Sequence, residues 1–144
     1  MSPVLRTHFA DYAAFHGTAG NRACHYVGIP LIVVSLFGLL AQVPLFTAAG
    51  LAFTLAEAVL VVATVYYLTL DVTLGLMMFA VSVVSSLVGR GLGVPLALAL
   101  FALGWIFQFV GHYVYEKKSP AFYRNFIHLL VGPLWILAKA TRRA

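Results

Sequence analysis

Charged residues fall in short clusters, and the chain between them is apolar for long stretches. No Asp, Glu, Lys or Arg occurs between Arg22 and Glu57. Gln42-Val43-Pro44 interrupts that run, because the residue before a proline is pushed out of the helical region. This predicts a first membrane-spanning helix near His25–Ala41 and a second from about Leu45 to Leu70-Asp71. The uncharged stretch Val72–Gly89 predicts a third span and Gly91–Tyr115 a fourth, with Gly89-Arg90-Gly91-Leu92-Gly93 as the turn between them. Before the first span, Leu5, His8, Phe9, Tyr12, Phe15 and His16 recur at spacings of three and four. They predict a surface helix over Val4–His16, ended by Gly17 and Gly20. Phe122–Ala138 is apolar but short and follows Ser119-Pro120. An interfacial helix is favoured there over a re-entrant segment or a fifth span. The expected fold is therefore all-α: one integral membrane domain over residues 1–144, a bundle of about four transmembrane helices with N-terminal and C-terminal interfacial helices.

Composition supports a lipid solvent. The chain is 62% hydrophobic and 9% charged, with mean hydropathy +0.99, whereas soluble domains are roughly 45–50% apolar and about 25% charged. The net charge of +5 does not point to nucleic acid, since the basic residues flank apolar runs instead of lining a polar surface. Arg6, Arg22, Lys117, Lys118, Arg124, Lys139, Arg142 and Arg143 fall on one side of the predicted topology and Arg90 on the other. The positive-inside bias makes the first side, with both termini, cytoplasmic. Membrane lipids are the expected partners of these cations. The single Cys24 excludes an intrachain disulfide and reads as a packing residue. Met1–Arg22 carries Arg6, His8, Asp11 and His16 and has no uninterrupted apolar core, so no signal peptide is expected. Brevity and the lack of an organelle address favour a bacterial cell membrane over the endoplasmic reticulum.

The polar residues that carry chemistry converge on the cytoplasmic side. His16 and His25 bracket the junction before the first span, and His112 and Glu116 lie at the end of the fourth. Four residues separate His112 from Glu116, which puts both on one face of an α-helix, with Gln108 extending the stripe inward. Nine residues separate His16 from His25, so joint coordination requires the helix break supplied by Gly17 and Gly20. Imidazoles with a carboxylate suit a first-row transition metal, and two histidines plus one carboxylate with open positions suit iron(II) and oxygen. Asn21 is placed to orient an imidazole or a substrate. His8 and His128 are weaker ligand candidates. Glu57 is read as mid-span, protonated and bonded to Thr54 or a neighbouring helix, or else part of an ion path. Asp71 either reaches the site or caps the third span. Lys117 and Lys118 either hold a substrate carboxylate or contact headgroups.

Several blocks then carry a family resemblance: Tyr12-Ala13-Ala14-Phe15-His16, Asn21, His25, Gly28-Ile29-Pro30, Trp105-Ile106-Phe107-Gln108-Phe109-Val110-Gly111-His112, Glu116-Lys117-Lys118 and Pro120-Ala121. Tyr67-Leu68-Thr69-Leu70-Asp71 with Gly75 adds a less specific block. Over nearly its whole length the chain resembles the membrane-bound 2-hydroxy fatty acid dioxygenase family. The resemblance implies an iron(II)-dependent enzyme that uses O2 to shorten a 2-hydroxy fatty acid by one carbon, as in α-oxidation. It carries the family's histidines over to His16, His25 and His112 and its following glutamate to Glu116, as metal ligands and catalytic residues. One departure is visible: the family carries a glutamate several residues after a late proline, whereas Pro133 here is followed by Leu134-Trp135-Ile136-Leu137-Ala138-Lys139.

Two other functions compete. A di-iron desaturase or hydroxylase draws on paired histidine clusters, for which five histidines are too few. A small transporter or lipid-binding scaffold would rest on Glu57.

Overall fold

A computed structural model describes residues 1–144. The chain runs through α1 (Pro3–Ala14), α2 (Ala19–Leu40), β1 (Pro44–Ala48), β2 (Leu51–Thr54), α3 (Leu55–Leu70), α4 (Val72–Gly91) and α5 (Val94–Val110). A π-helical turn (Gly111–Glu116), a 3-10 turn (Ala121–Tyr123) and α6 (His128–Ala140) complete it. Ala19–Leu40, Val72–Gly91 and Val94–Glu116 are long and apolar enough to cross a membrane, while α3 and α6 are shorter apolar helices. The all-α expectation holds. The fourth crossing is where it thins, since the 16 residues of α3 give about 24 Å at about 1.5 Å per residue.

Two compact units make up the chain, Met1–Pro30 with Leu103–Ala144, and Leu31–Ala102. The second unit corrects the expected second span. Helix does not begin near Leu45, because Pro44–Thr54 folds as an antiparallel hairpin, and α3 starts at Leu55. Ala49 and Gly50, both at positive φ (50° and 77°), form the two-residue turn whose twist suits such a hairpin. Phe46 and Phe53 stack across it at 4.9 Å. The later start also moves Glu57 from mid-span to the first turn of α3. There it closes a capping box with Thr54 and pairs with Arg90 at the end of α4. Asp71 is the N-cap of α4, its carboxylate accepting from the Leu74 amide at 2.9 Å. This is the capping that the sequence offered as one of its two readings. Gly38 and Gly89 bring the backbones of α2 and α4 into contact: a Cβ on Gly89 would lie 2.7 Å from the Gly38 nitrogen.

The first unit holds the histidines. α1 buries Leu5, Phe9 and Tyr12 and packs on α6, whose buried face is Val131, Leu134, Trp135 and Ala138. The surface helix ends at Ala14, two residues earlier than expected, as the Phe15 and His16 amides turn back to the Tyr12 and Ala13 carbonyls at 3.1 and 3.0 Å. Gly20 is not a terminator. It lies inside α2, where any Cβ would run into the Tyr115 ring. The C-terminal helix is confined to His128–Ala140, after a 3-10 turn.

Candidate metal centre

Three imidazoles meet inside the first unit. His16, His25 and His112 are buried, and one ring nitrogen from each lies within 4.8 Å of the others. Ring centroids are 4.3 to 4.9 Å apart and the rings stand at 70° to 87° to one another, so they face a common point instead of stacking.

Local structure fixes two of the three rings. His16 Nδ1 donates to the Tyr12 carbonyl at 2.6 Å and His25 Nδ1 to the Asn21 carbonyl at 2.9 Å, each four residues back along the chain. A neutral imidazole that donates from Nδ1 carries a bare lone pair on Nε2. The two Nε2 atoms are 3.0 Å apart. With both Nδ1 atoms protonated, neither Nε2 has a hydrogen to give the other, and two lone pairs converge. Burial lowers the His16 pKa to about 4, outweighing the upward pull of its bond to the Tyr12 carbonyl, and so keeps this ring neutral. Nitrogens binding a first-row ion at about 2.0–2.1 Å on adjacent corners of its coordination sphere stand roughly 3 Å apart. The donor set therefore fits a transition metal, and the tie from Nδ1 to a carbonyl is the usual way a ligating imidazole is aimed.

His112 arrives by a different device. The helix widens into a π turn at Gly111–Glu116, a feature often found at functional sites. Gly111 provides the notch: a Cβ there would collide with the Asn21 side chain and come within 3.1 Å of Cys24 Cβ. With only hydrogen at that position, the start of α2 and the π turn touch, and His112 reaches His25. Cys24 is buried packing, as expected.

The same turn carries Glu116. Expected as a fourth ligand on the same helical face as His112, it is the last residue of the π turn that holds His112. Its carboxylate is outside the triad and faces the α1–α2 junction. Oε1 accepts from the Gly17 amide at 3.0 Å, and Oε2 from the Thr18 amide (3.0 Å), the Thr18 hydroxyl (2.9 Å) and Asn21 Nδ2 (3.2 Å). Asn21 also donates to the Phe15 carbonyl at 2.9 Å, so it orders the junction as well as supporting His25.

The other candidates sort by position. Gln108 is buried one turn before His112, its Nε2 without a partner and pressed against Gly28. His128 stands behind the triad, edge-on to Tyr12 and Phe15. His8 is half-buried on α1, and Lys117 and Lys118 are exposed. Asp71 belongs to the second unit, at its cap. Sequence reasoning set Tyr12 on a stripe with His16 without giving it a role at the site, and passed over Thr18. Tyr12 lies flat on His16 at 3.9 Å with 13° between the rings, backed by Trp135 at 5.3 Å. The signal was present in its spacing, four residues before His16.

The helices and the triad together define a protein of membrane type, with a buried three-histidine centre able to hold a metal ion. Residues 3–144 match the model of the 2-hydroxy-palmitic acid dioxygenase Mpo1-like family, and the chain belongs to that family. It is similar to the 2-hydroxy-palmitic acid dioxygenase MPO1 of Saccharomyces cerevisiae, with 29% identity over 134 residues that cover 92% of this chain and 77% of the yeast protein. No solved structure matches it.

Proposed function

We propose that this chain is a dioxygenase that shortens 2-hydroxy fatty acids by one carbon, working at iron(II) held by His16, His25 and His112. Family membership supports the reaction and the substrate class. The observation that carries the site is the pair of Nε2 atoms 3.0 Å apart with both Nδ1 atoms tied to carbonyls. Iron bound there would supply the one-electron chemistry that dioxygen needs before it reacts with carbon. The residues do the rest. Carbonyl ties hold His16 and His25 in the ligating tautomer, Tyr12 fixes the plane of the His16 ring, and burial keeps His16 from protonating. Apolar helices take the acyl tail, while the carboxylate and 2-hydroxyl remain at the level of the triad. The cluster of Lys and Arg near the termini and after the π turn orients this end to the cytoplasmic face, in a bacterial cell membrane on this reading.

The reading is tested by elemental analysis of purified, detergent-solubilised protein beside His112→Ala, followed by incubation with 2-hydroxypalmitate and O2. Iron near one per chain, lost in the variant, with a fatty acid one carbon shorter as product, is the expected result. Protein without metal and without product would overturn it. The transporter or scaffold reading loses its main support, since Glu57 is engaged by Thr54 and Arg90.

A further inference from the structure

We propose that Glu116 is a positioning residue, a latch that fixes where His16 and His112 stand, and that it is not a ligand of the ion. This rests on the reading of the triad as an ion site. The latch itself is visible without any ion.

Four donors converge on the Glu116 carboxylate, one on Oε1 and three on Oε2: two backbone amides, a hydroxyl and a side-chain amide. Where the donors come from matters as much as their number. Gly17 and Thr18 follow directly on His16, Asn21 supplies the carbonyl that aims His25, and Glu116 closes the π turn that begins beside His112. One carboxylate thus ties together the three segments that carry the three imidazoles.

His16 needs such a tie most. It sits after the end of α1, on the non-helical stretch that leads into α2, and must turn back to meet a histidine nine residues later. Hydrogen bonding from below by Glu116 is matched from the other side by Arg22, which donates to the His16 and Gly17 carbonyls at 3.2 and 2.6 Å. A junction clamped between an anion and a cation holds its shape with the ion absent. Preorganisation of this kind sets affinity, since removing an outer partner of a ligand typically costs about 10–100-fold in metal binding.

The test uses cobalt(II) as probe on the full-length protein in detergent, with visible absorption reporting the ligand set, and amide exchange at Gly17 and Thr18 measured in ion-free protein. Glu116→Gln is expected to bind one cobalt per chain about 10–100-fold more weakly, with the absorption band unmoved. Thr18→Val, which cannot remove a ligand, is expected to weaken binding in the same direction but less. The double variant is expected to be no weaker than Glu116→Gln alone. Exchange at Gly17 and Thr18 is expected to quicken in Glu116→Gln. A band that shifts in Glu116→Gln while Thr18→Val binds as wild type would make Glu116 a ligand and overturn the proposal, as would unchanged amide exchange. Should the unmodified protein take no cobalt, the metal reading falls and the exchange comparison still decides the latch. Should Glu116→Gln fail to fold, affinity and exchange in Thr18→Val decide it.

Discussion

His16 and His25 turn their Nε2 atoms toward each other at 3.0 Å while each ring anchors its other nitrogen on a carbonyl four residues earlier. Both rings are held by the backbone, which brings the two Nε2 atoms together. Removing either ring leaves a centre with two donors. His16→Ala, His25→Ala and His112→Ala are each expected to lower iron content to under about a tenth of wild type and turnover by more than the roughly 100-fold upper end of an outer-partner loss. Metal analysis beside product assay checks this; full iron in all three variants would remove the site.

Tyr12 lies parallel to the His16 ring at 3.9 Å, with Trp135 behind it. Tyr12→Phe keeps the stacked face and is expected to bind iron within about threefold of wild type, whereas Tyr12→Ala frees the His16 ring and is expected to weaken binding about tenfold. A titration of the two variants side by side separates stacking from the hydroxyl. Equal loss in both would show that the hydroxyl, not the ring face, matters.

Gly28 and Gly111 are close-approach positions around the triad. A Cβ at Gly28 would come 2.8 Å from the Gly104 carbonyl oxygen, a backbone atom that cannot rotate away. Gly28→Ala is expected to destabilise the protein by about 1–3 kcal/mol, the usual range for overpacking, and Gly111→Ala to reduce iron binding as well by prising His112 from His25. Thermal unfolding in detergent with metal analysis distinguishes the two effects. A wild-type midpoint for Gly28→Ala would contradict the packing.

The Thr54–Glu57–Arg90 group is structural on this account. Its ion pair is about a third exposed on both sides (37% and 35%), so Arg90→Ala is expected to cost under about 1 kcal/mol. Thr54→Ala, which loses the cap of α3, is expected to cost about 1 kcal/mol. Glu57→Gln should leave turnover on 2-hydroxypalmitate unchanged. A tenfold loss of turnover would return Glu57 to the chemistry.

Much of this protein was readable from order and spacing along the chain. Long uncharged runs define α2, α4 and α5 because a bilayer core demands about 20 apolar residues per crossing, whatever packs beside them. The same runs delivered His25 and His112 to helix ends, and Tyr12 to a stripe with His16. What spacing could not foresee is everything that depends on where the backbone departs from the α-helix. Pro44–Thr54 is as apolar as a span, and only the turn at Ala49-Gly50 and the pairing of β1 with β2 make it a hairpin. That displaced α3 and made a cap of Glu57. At Gly111–Glu116 the sequence has ordinary helical periodicity, but the chain widens into a π turn, and the Glu116 carboxylate at its end takes the amides of Gly17 and Thr18. Residue types and order chose the imidazoles and their lipid setting; the lone pairs meet because hydrogen bonds between segments distant in sequence, such as Glu116 and Thr18, fix angles that no local pattern encodes.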